Sequence, residues 1–267
     1  MLRARIITAA VLIALLLAII LLLPPWTTVA ALTLVVLAGA WEWSAFLKPV
    51  GAGMRVGYLL LIGALLPLAW WGSTGPVGRL AVPAAAVAWW LVALAWVAFA
   101  PGRTARWSAA LAGALALVPA WLALVRLRLD LARGAQWLLF VLALVWVADI
   151  GAYFAGRSFG RRRLAPQVSP GKTWEGVLGG ALSSAVLASF GGGWFGLPRM
   201  VFVPLCLVAV AFSVVGDLTE SLLKRFAGLK DSGTLFPGHG GVMDRIDSVT
   251  GAAPVIFFGL LALGVTR

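Results

Sequence analysis

The chain has 267 residues, of which 62% are hydrophobic and only 11% charged, a balance that excludes a soluble domain with a solvated surface. Its formal net charge of +12 does not indicate nucleic-acid binding, because the basic residues are scattered among short polar segments instead of lining one face with aromatics between them. The single cysteine, Cys206, excludes an intrachain disulfide and a cysteine-based metal cluster, and inside an apolar run it reads as packing.

Crossing a bilayer takes about 20 apolar residues with every backbone polar group paired inside the segment, so each long apolar run predicts a helix. The first run, 6–23, follows Arg3 and Arg5 in the manner of a signal peptide, yet no small-residue cleavage site comes promptly after it, and it is read as a retained span. Eight more follow at 27–47, 56–71, 80–100, 108–125, 135–155, 174–195, 200–223 and 248–265. The expected fold is an all-α polytopic integral membrane protein of about nine transmembrane helices, N-terminus in and C-terminus out. Residues 1–130 carry N-terminal helices with no assigned role. Residues 131–267 form the expected catalytic region, with cytoplasmic loops at 156–173 and 224–247. The orientation rests on the positive-inside rule: only Arg79, Arg126, Arg128, Arg133, Arg199 and Arg267 of the 21 Lys and Arg residues fall outside. The loop with Arg126, Arg128 and Arg133 runs against the rule, offset in part by Asp130. Tryptophans near run ends read as interfacial anchors, and Glu42, between Trp41 and Trp43, as an interfacial residue or a part of the site, with the first reading preferred. No fixed-period repeat supports a transporter built from duplicated halves.

Seven of the nine acidic residues, Asp149, Glu175, Asp217, Glu220, Asp231, Asp244 and Asp247, lie in the C-terminal half, at the cytoplasmic ends of predicted helices or in the loops between them. In the sixth run Asp149 and Tyr153 share a face. The following polar segment ends in "SPGKTWEG", where Ser169, Lys172 and Thr173 precede a helix start and Glu175 sits in its first turn, a composition suited to a polyphosphate. The spaced glycine of a P-loop is missing and no parallel sheet is available, so a Walker site is rejected. Arg161, Arg162 and Arg163 read as topogenic charge or as substrate contacts.

The eighth run ends "VVGDLTESLLKRF", whose helical spacing puts Ser213, Asp217, Glu220, Ser221 and Lys224 on one face. Asp217 lies about 10 Å below the helix end, where an ionised carboxylate needs a partner, water or a cation. A structural pair with Lys224 or Arg225 would satisfy it. The ninth run opens "MDRIDSVTG", with Asp244 and Asp247 three apart. Either alone reads as a helix cap; with Asp217 they suggest Mg²⁺ held by aspartates, water and phosphate oxygens. Zinc is disfavoured by one histidine and one cysteine. Between the two helices, a loop rich in glycine carries Lys230, Asp231 and His239 and can offer backbone N–H groups to an anion.

"SLLKRFAGLKDSGTLFPGHGGVMDRID" closely resembles the signature of the phosphatidate cytidylyltransferases, or CDP-diacylglycerol synthases. Ser221, Lys224, Arg225, Lys230, Asp231, Gly233, Pro237, Gly238, His239, Gly240, Gly241, Asp244, Arg245 and Asp247 fill its positions. "SPGKTWEG" and "GRSFGRRRL" also look like a segment of this family, so the resemblance covers about 145–267, with hydropathy alone upstream. It implies conversion of CTP and phosphatidic acid to CDP-diacylglycerol and pyrophosphate with Mg²⁺, beside which K⁺ is a second candidate ion. It further implies a bacterial inner-membrane enzyme with a cytoplasm-facing site, and a homodimer for which no interface is legible. The expected metal ligands are Asp217 and Asp244, with Asp247 as a further one. Ser169, Lys172, Thr173, Lys224 and Arg225 are expected to hold phosphates of CTP or lipid. Lys230, Asp231, His239 and Arg245 are expected to orient the loop or pyrophosphate, and Asp149, Glu175, Glu220 and Ser221 to support the site. The rival expectations are a CTP-dependent enzyme of another lipid, an ether lipid phosphate or a polyprenol, and an anion transporter.

Overall fold

Helix dominates because every apolar run must satisfy its own backbone in lipid. The computed structural model describes residues 2–48, 51–233 and 240–265, without the side chains of 2–9 and 12. Its helices are α1 (Leu2–Leu21), α2 (Pro25–Trp43, continued by the 3-10 turn Ser44–Phe46), α3 (Ala52–Gly72), α4 (Pro76–Phe99), α5 (Arg106–Asp130), α6 (Gly134–Phe159), α7 (Trp174–Phe195), α8 (Arg199–Ala227) and α9 (Met243–Ala262). Among the described residues, eight of them, α2 to α9, are long and apolar enough to cross a membrane. The chain is a polytopic helical membrane protein.

Two expectations are corrected. The polar segment after α6 is not a plain loop: α6 runs on to Phe159 and is followed by an antiparallel pair, β1 (Arg163–Ala165) and β2 (Ser169–Thr173). The eighth and ninth helices also extend past their apolar runs, to Ala227 and back to Met243, because charged side chains at a membrane boundary do not interrupt helical hydrogen bonding. The segment between these two helices is thereby shortened to 228–242.

The bundle is organised around α5, the most buried span, while α3 is the least buried. Trp43 donates from Nε1 to the Ala109 carbonyl (2.8 Å) and Tyr58 from its hydroxyl to the Ala110 carbonyl (3.0 Å), fastening α2 and α3 to the start of α5. Both rings pass over Gly113, where a Cβ would collide with them. The α6–α7 and α8–α9 pairs are packed through small residues, as expected where lipid offers no hydrophobic drive to helix association. Gly179 lies against Ala155, Gly216 against the Asp247 carbonyl and Gly251 against the Phe212 carbonyl, each without room for a Cβ. Away from the polar end, Trp137 stacks on Phe195 with centroids 3.6 Å apart.

One of the arginines that ran against the charge rule, Arg126, has a structural explanation. Arg126, only 6% exposed, donates to the Ser73 hydroxyl (2.8 Å) and the Trp70 carbonyl (3.2 Å), pairs with Asp130 (3.2 Å) and lies 3.8 Å over the Trp70 ring. Asp130 also pairs with Arg79 at 2.8 Å. This network joins α3, α4 and α5 at the end of the bundle opposite Asp217. Arg126→Leu should therefore cost about 3 kcal/mol of stability, read as a lower melting temperature in detergent, and leave the turnover of the folded fraction unchanged.

Candidate active site

The polar end of α8 begins where its apolar sequence gives way to "GDLTESLLKRFA". The shared face predicted for this segment is present, but its pairing differs. Lys224 Nζ reaches Glu220 at 2.6 Å and Asp244 at 2.7 Å. Asp217 instead pairs with Lys172 at 2.5 Å and accepts from the Ser221 hydroxyl at 3.3 Å. The purely structural alternative, a pair between Asp217 and Lys224 or Arg225, is not formed. A lysine seven residues on lies about 10 Å up the helix, whereas Lys172 approaches from the side.

What delivers Lys172 is the hairpin. β2 leads directly into α7, whose N-cap Thr173 accepts from the Gly176 amide at 3.1 Å. Glu175, in the first turn, accepts from the Arg161 and Arg162 amides at 3.0 and 3.2 Å, holding the chain after α6 against the start of α7. Glu175 is thus committed to backbone rather than to a ligand. Ser169 pairs with Ala165 across the hairpin.

The third component is the start of α9. Asp244 Oδ2 accepts from the Gly241 amide (2.8 Å), the Ser232 amide (3.1 Å) and the Ser232 hydroxyl (2.9 Å), while Oδ1 takes Lys224. Asp247 is buried, and one of its oxygens accepts from the Ser248 amide at 2.6 Å. It lies within electrostatic range of Asp217, Glu220 and Lys172. Glu42 enters here as well, in place of the interfacial role preferred of its two sequence readings. It is buried and accepts from the Met243 amide (2.8 Å) and the Ser232 hydroxyl (3.0 Å). A carboxylate between two tryptophans was its only sequence signal.

A cavity of about 480 Å³ opens between α6, β2, α7 and α8. Asp149, Tyr153 and Arg157 line one side, Lys172 and Thr173 another, and Ser213 and Asp217 a third, while Ala148, Ala152, Val177, Val210 and Val214 form an apolar wall. Arg157 donates to the Tyr153 hydroxyl at 2.8 Å. Asp149 faces both Asp217 and Lys172. The described cluster of Asp149, Asp217, Glu220, Asp244 and Asp247 is therefore interleaved with Lys172 and Lys224 and bordered by Arg157, and it remains acid-rich. The fully buried Glu220 carboxylate has the Lys224 ammonium as its partner, at 2.6 Å, and accepts from no other group among the described residues.

Among the described residues, no three Asp, Glu, His or Cys side chains form a ready-made metal cluster. Asp217, Asp244 and Asp247 are therefore not a preassembled trio; Lys172 occupies the first and Lys224 the second. The donor set nevertheless fits Mg²⁺, which takes one or two carboxylates and completes its shell with water and phosphate, and an acid-rich cluster at a membrane boundary favours a cation.

Arg225, Lys230, Asp231 and Arg245 do not line the cavity. Arg225 is exposed and directs Nε towards the Val168 carbonyl at 3.5 Å, lining a separate groove with Thr104 and Gln167. Lys230 and Asp231 are exposed beyond α8, and Arg245 is exposed in the first turn of α9. His239, with Pro237 and Gly238, lies outside the described residues.

A helical membrane protein whose acidic and lysine side chains converge at one end of the bundle, beside an amphipathic cavity, has the composition of a phosphate-handling membrane enzyme. The chain belongs to the cytidylyltransferase family, whose model matches residues 3–263. It is similar to the phosphatidate cytidylyltransferase of Haemophilus influenzae, 41% identical over 279 residues that cover 95% of this chain and 96% of the relative. The phosphatidate cytidylyltransferase of Pseudomonas aeruginosa is 43% identical over 273 residues, 99% of this chain and 98% of that one. The match extends the resemblance seen in the C-terminal half through α1 to α5.

Proposed function

We propose that this chain transfers the cytidylyl group of CTP to phosphatidate, giving CDP-diacylglycerol and pyrophosphate. The observation that carries the reading is the amphipathic cavity, with Lys172, Thr173 and Asp217 at its polar side and an apolar wall along α6, α7 and α8, in a chain of this family. A lipid phosphate fits such a boundary: the headgroup meets the lysines while the acyl chains stay against apolar helix surface. A phosphatidate oxygen forms the new bond to the α-phosphorus of CTP, and the bond from that phosphorus to the β-phosphate bridging oxygen breaks, releasing pyrophosphate. The attacking phosphate is already ionised, so no strong general base is required. What remains is positioning and charge neutralisation.

Lys172 and Lys224 are the cations placed to neutralise phosphate oxygens, each held by carboxylates until a phosphate competes for it. Asp217 and Asp244, with Asp247 as a further ligand, would hold Mg²⁺, and the same oxygen donors suit K⁺ as a second ion. When bound, Mg²⁺ supplies charge compensation to the phosphates of the nucleotide. We place catalysis in residues 131–267, with 1–130 bracing it. The site is assigned to the cytoplasmic side of a bacterial inner membrane, supported by bacterial relatives and by the positive-inside distribution.

Purified protein in detergent with Mg²⁺ and phosphatidate tests the reading through the position of the label on CTP. Label at the α-phosphorus should enter the lipid and label at the γ-phosphorus should leave with pyrophosphate. Lipid that acquires the γ-label identifies a kinase instead, and no transfer in micelles, where no gradient exists, returns the transporter reading. Ether lipid phosphate offered in competition decides the lipid class.

A further inference from the structure

Glu42 comes from the part of the chain to which the sequence assigns no role, 1–130, yet its carboxylate ends between Ser232, beyond α8, and Met243, at the start of α9. We propose that Glu42 is a positioning residue for the reaction, a clamp from α2 that sets Asp244 and the start of α9 against Lys224. Its kinetic consequence rests on the cytidylyl-transfer reading; its structural consequence does not.

Three features carry the inference. The Met243 amide opens α9 and is one of the N–H groups that a helix cannot satisfy internally. The N-cap Val242 offers no side-chain acceptor, and Glu42 Oε2 takes that role at 2.8 Å, with its charge at the positive end of the helix dipole. Second, the Ser232 hydroxyl stands 3.0 Å from Glu42 and 2.9 Å from Asp244. A hydroxyl has one proton to donate, so Ser232 links the two carboxylates and Glu42 competes for the proton that would otherwise go to Asp244. Third, a Cβ on either Gly233 or Gly241 would collide with the Glu42 carboxylate. Loop backbone therefore closes over both sides of the acid, and Glu42 acts through its neighbours without touching substrate. The clamp has a fixed base: Trp43 is bonded to α5 and Phe46 is fully buried.

The test uses full-length protein in detergent. Glu42→Ala should lower kcat roughly 10- to 100-fold, the range for lost support of a reacting group, while KM for CTP changes little. Glu42→Gln keeps an acceptor for the Met243 amide and should recover part of the loss. Because Glu42 acts through Ser232, adding Ser232→Ala to Glu42→Ala should cost less than Ser232→Ala alone. Independently of activity, amide hydrogen exchange in 229–233 and 240–247 should be faster in Glu42→Ala than in the parent. Unchanged exchange there, or kcat within about twofold of the parent for folded Glu42→Ala, overturns the proposal. If Glu42→Ala does not fold, Glu42→Gln and Ser232→Ala carry the same comparison. A parent that transfers no cytidylyl group defeats the functional reading, while the exchange measurement still decides the clamp.

Discussion

Replacing Lys224 by Met is expected to destabilise the protein by about 3–5 kcal/mol, the cost of removing one partner from a buried ion pair, and to abolish turnover. Lys224 Nζ lies 2.6 Å from Glu220 and 2.7 Å from Asp244, and the fully buried Glu220 has no other hydrogen-bond partner among the described residues. A Met of similar length preserves packing and leaves two carboxylates facing each other without a counter-charge. The loss of stability is then electrostatic, which a second substitution can show. Glu220→Leu in the Lys224→Met background removes the orphaned buried acid and should restore much of the melting temperature in detergent, while activity stays lost because the phosphate-neutralising cation is gone. A melting temperature for Lys224→Met equal to the parent's would refute the pairing.

Asp217→Asn carries the other large effect, with the opposite sign on stability. The substitution is nearly isosteric and keeps an acceptor for the Ser221 hydroxyl, so packing is undisturbed. It removes one carboxylate from a neighbourhood that also holds Asp149 and Asp247, and relief of like-charge repulsion offsets the lost pair with Lys172. Stability should be retained or raised. Cytidylyl transfer should fall by roughly 1,000-fold, the order of a lost electrostatic contact at a reacting centre. Such a divergence is the mark of a group kept for function at the expense of stability. Near-parental turnover by Asp217→Asn would remove Asp217 from the site.

These two residues also show how far the sequence could be read. The period of α8 placed Asp217, Glu220, Ser221 and Lys224 on one face, because helical periodicity is local and survives in any tertiary context. The pairing did not follow from it. Lys172 belongs to a five-residue strand whose "SPGKT" carries the turn-forming residues of a loop, and only the close approach of α6 to α7 folds it back over Asp217. Glu175 was legible as a supporting acid at a helix start; its amide partners, Arg161 and Arg162, are set by the hairpin. Arg126 looked like a topological exception, and packing against Trp70 and Ser73 turned it into a structural brace.

By itself the sequence determined the membrane environment, the positions of the spans, the acidic and basic inventory and the family, because transfer of apolar surface, helical period and a dense motif are properties of contiguous residues. Tertiary structure decided which charge meets which, and that Glu42, 201 residues before Met243, joins the site. Such meetings depend on the order of helices around α5 and on glycines such as Gly216 and Gly251, which let α8 and α9 approach closely enough for single side chains to bridge them. In a low-dielectric boundary that proximity, more than the count of charges, sets which carboxylates are neutralised and which remain to attract a cation.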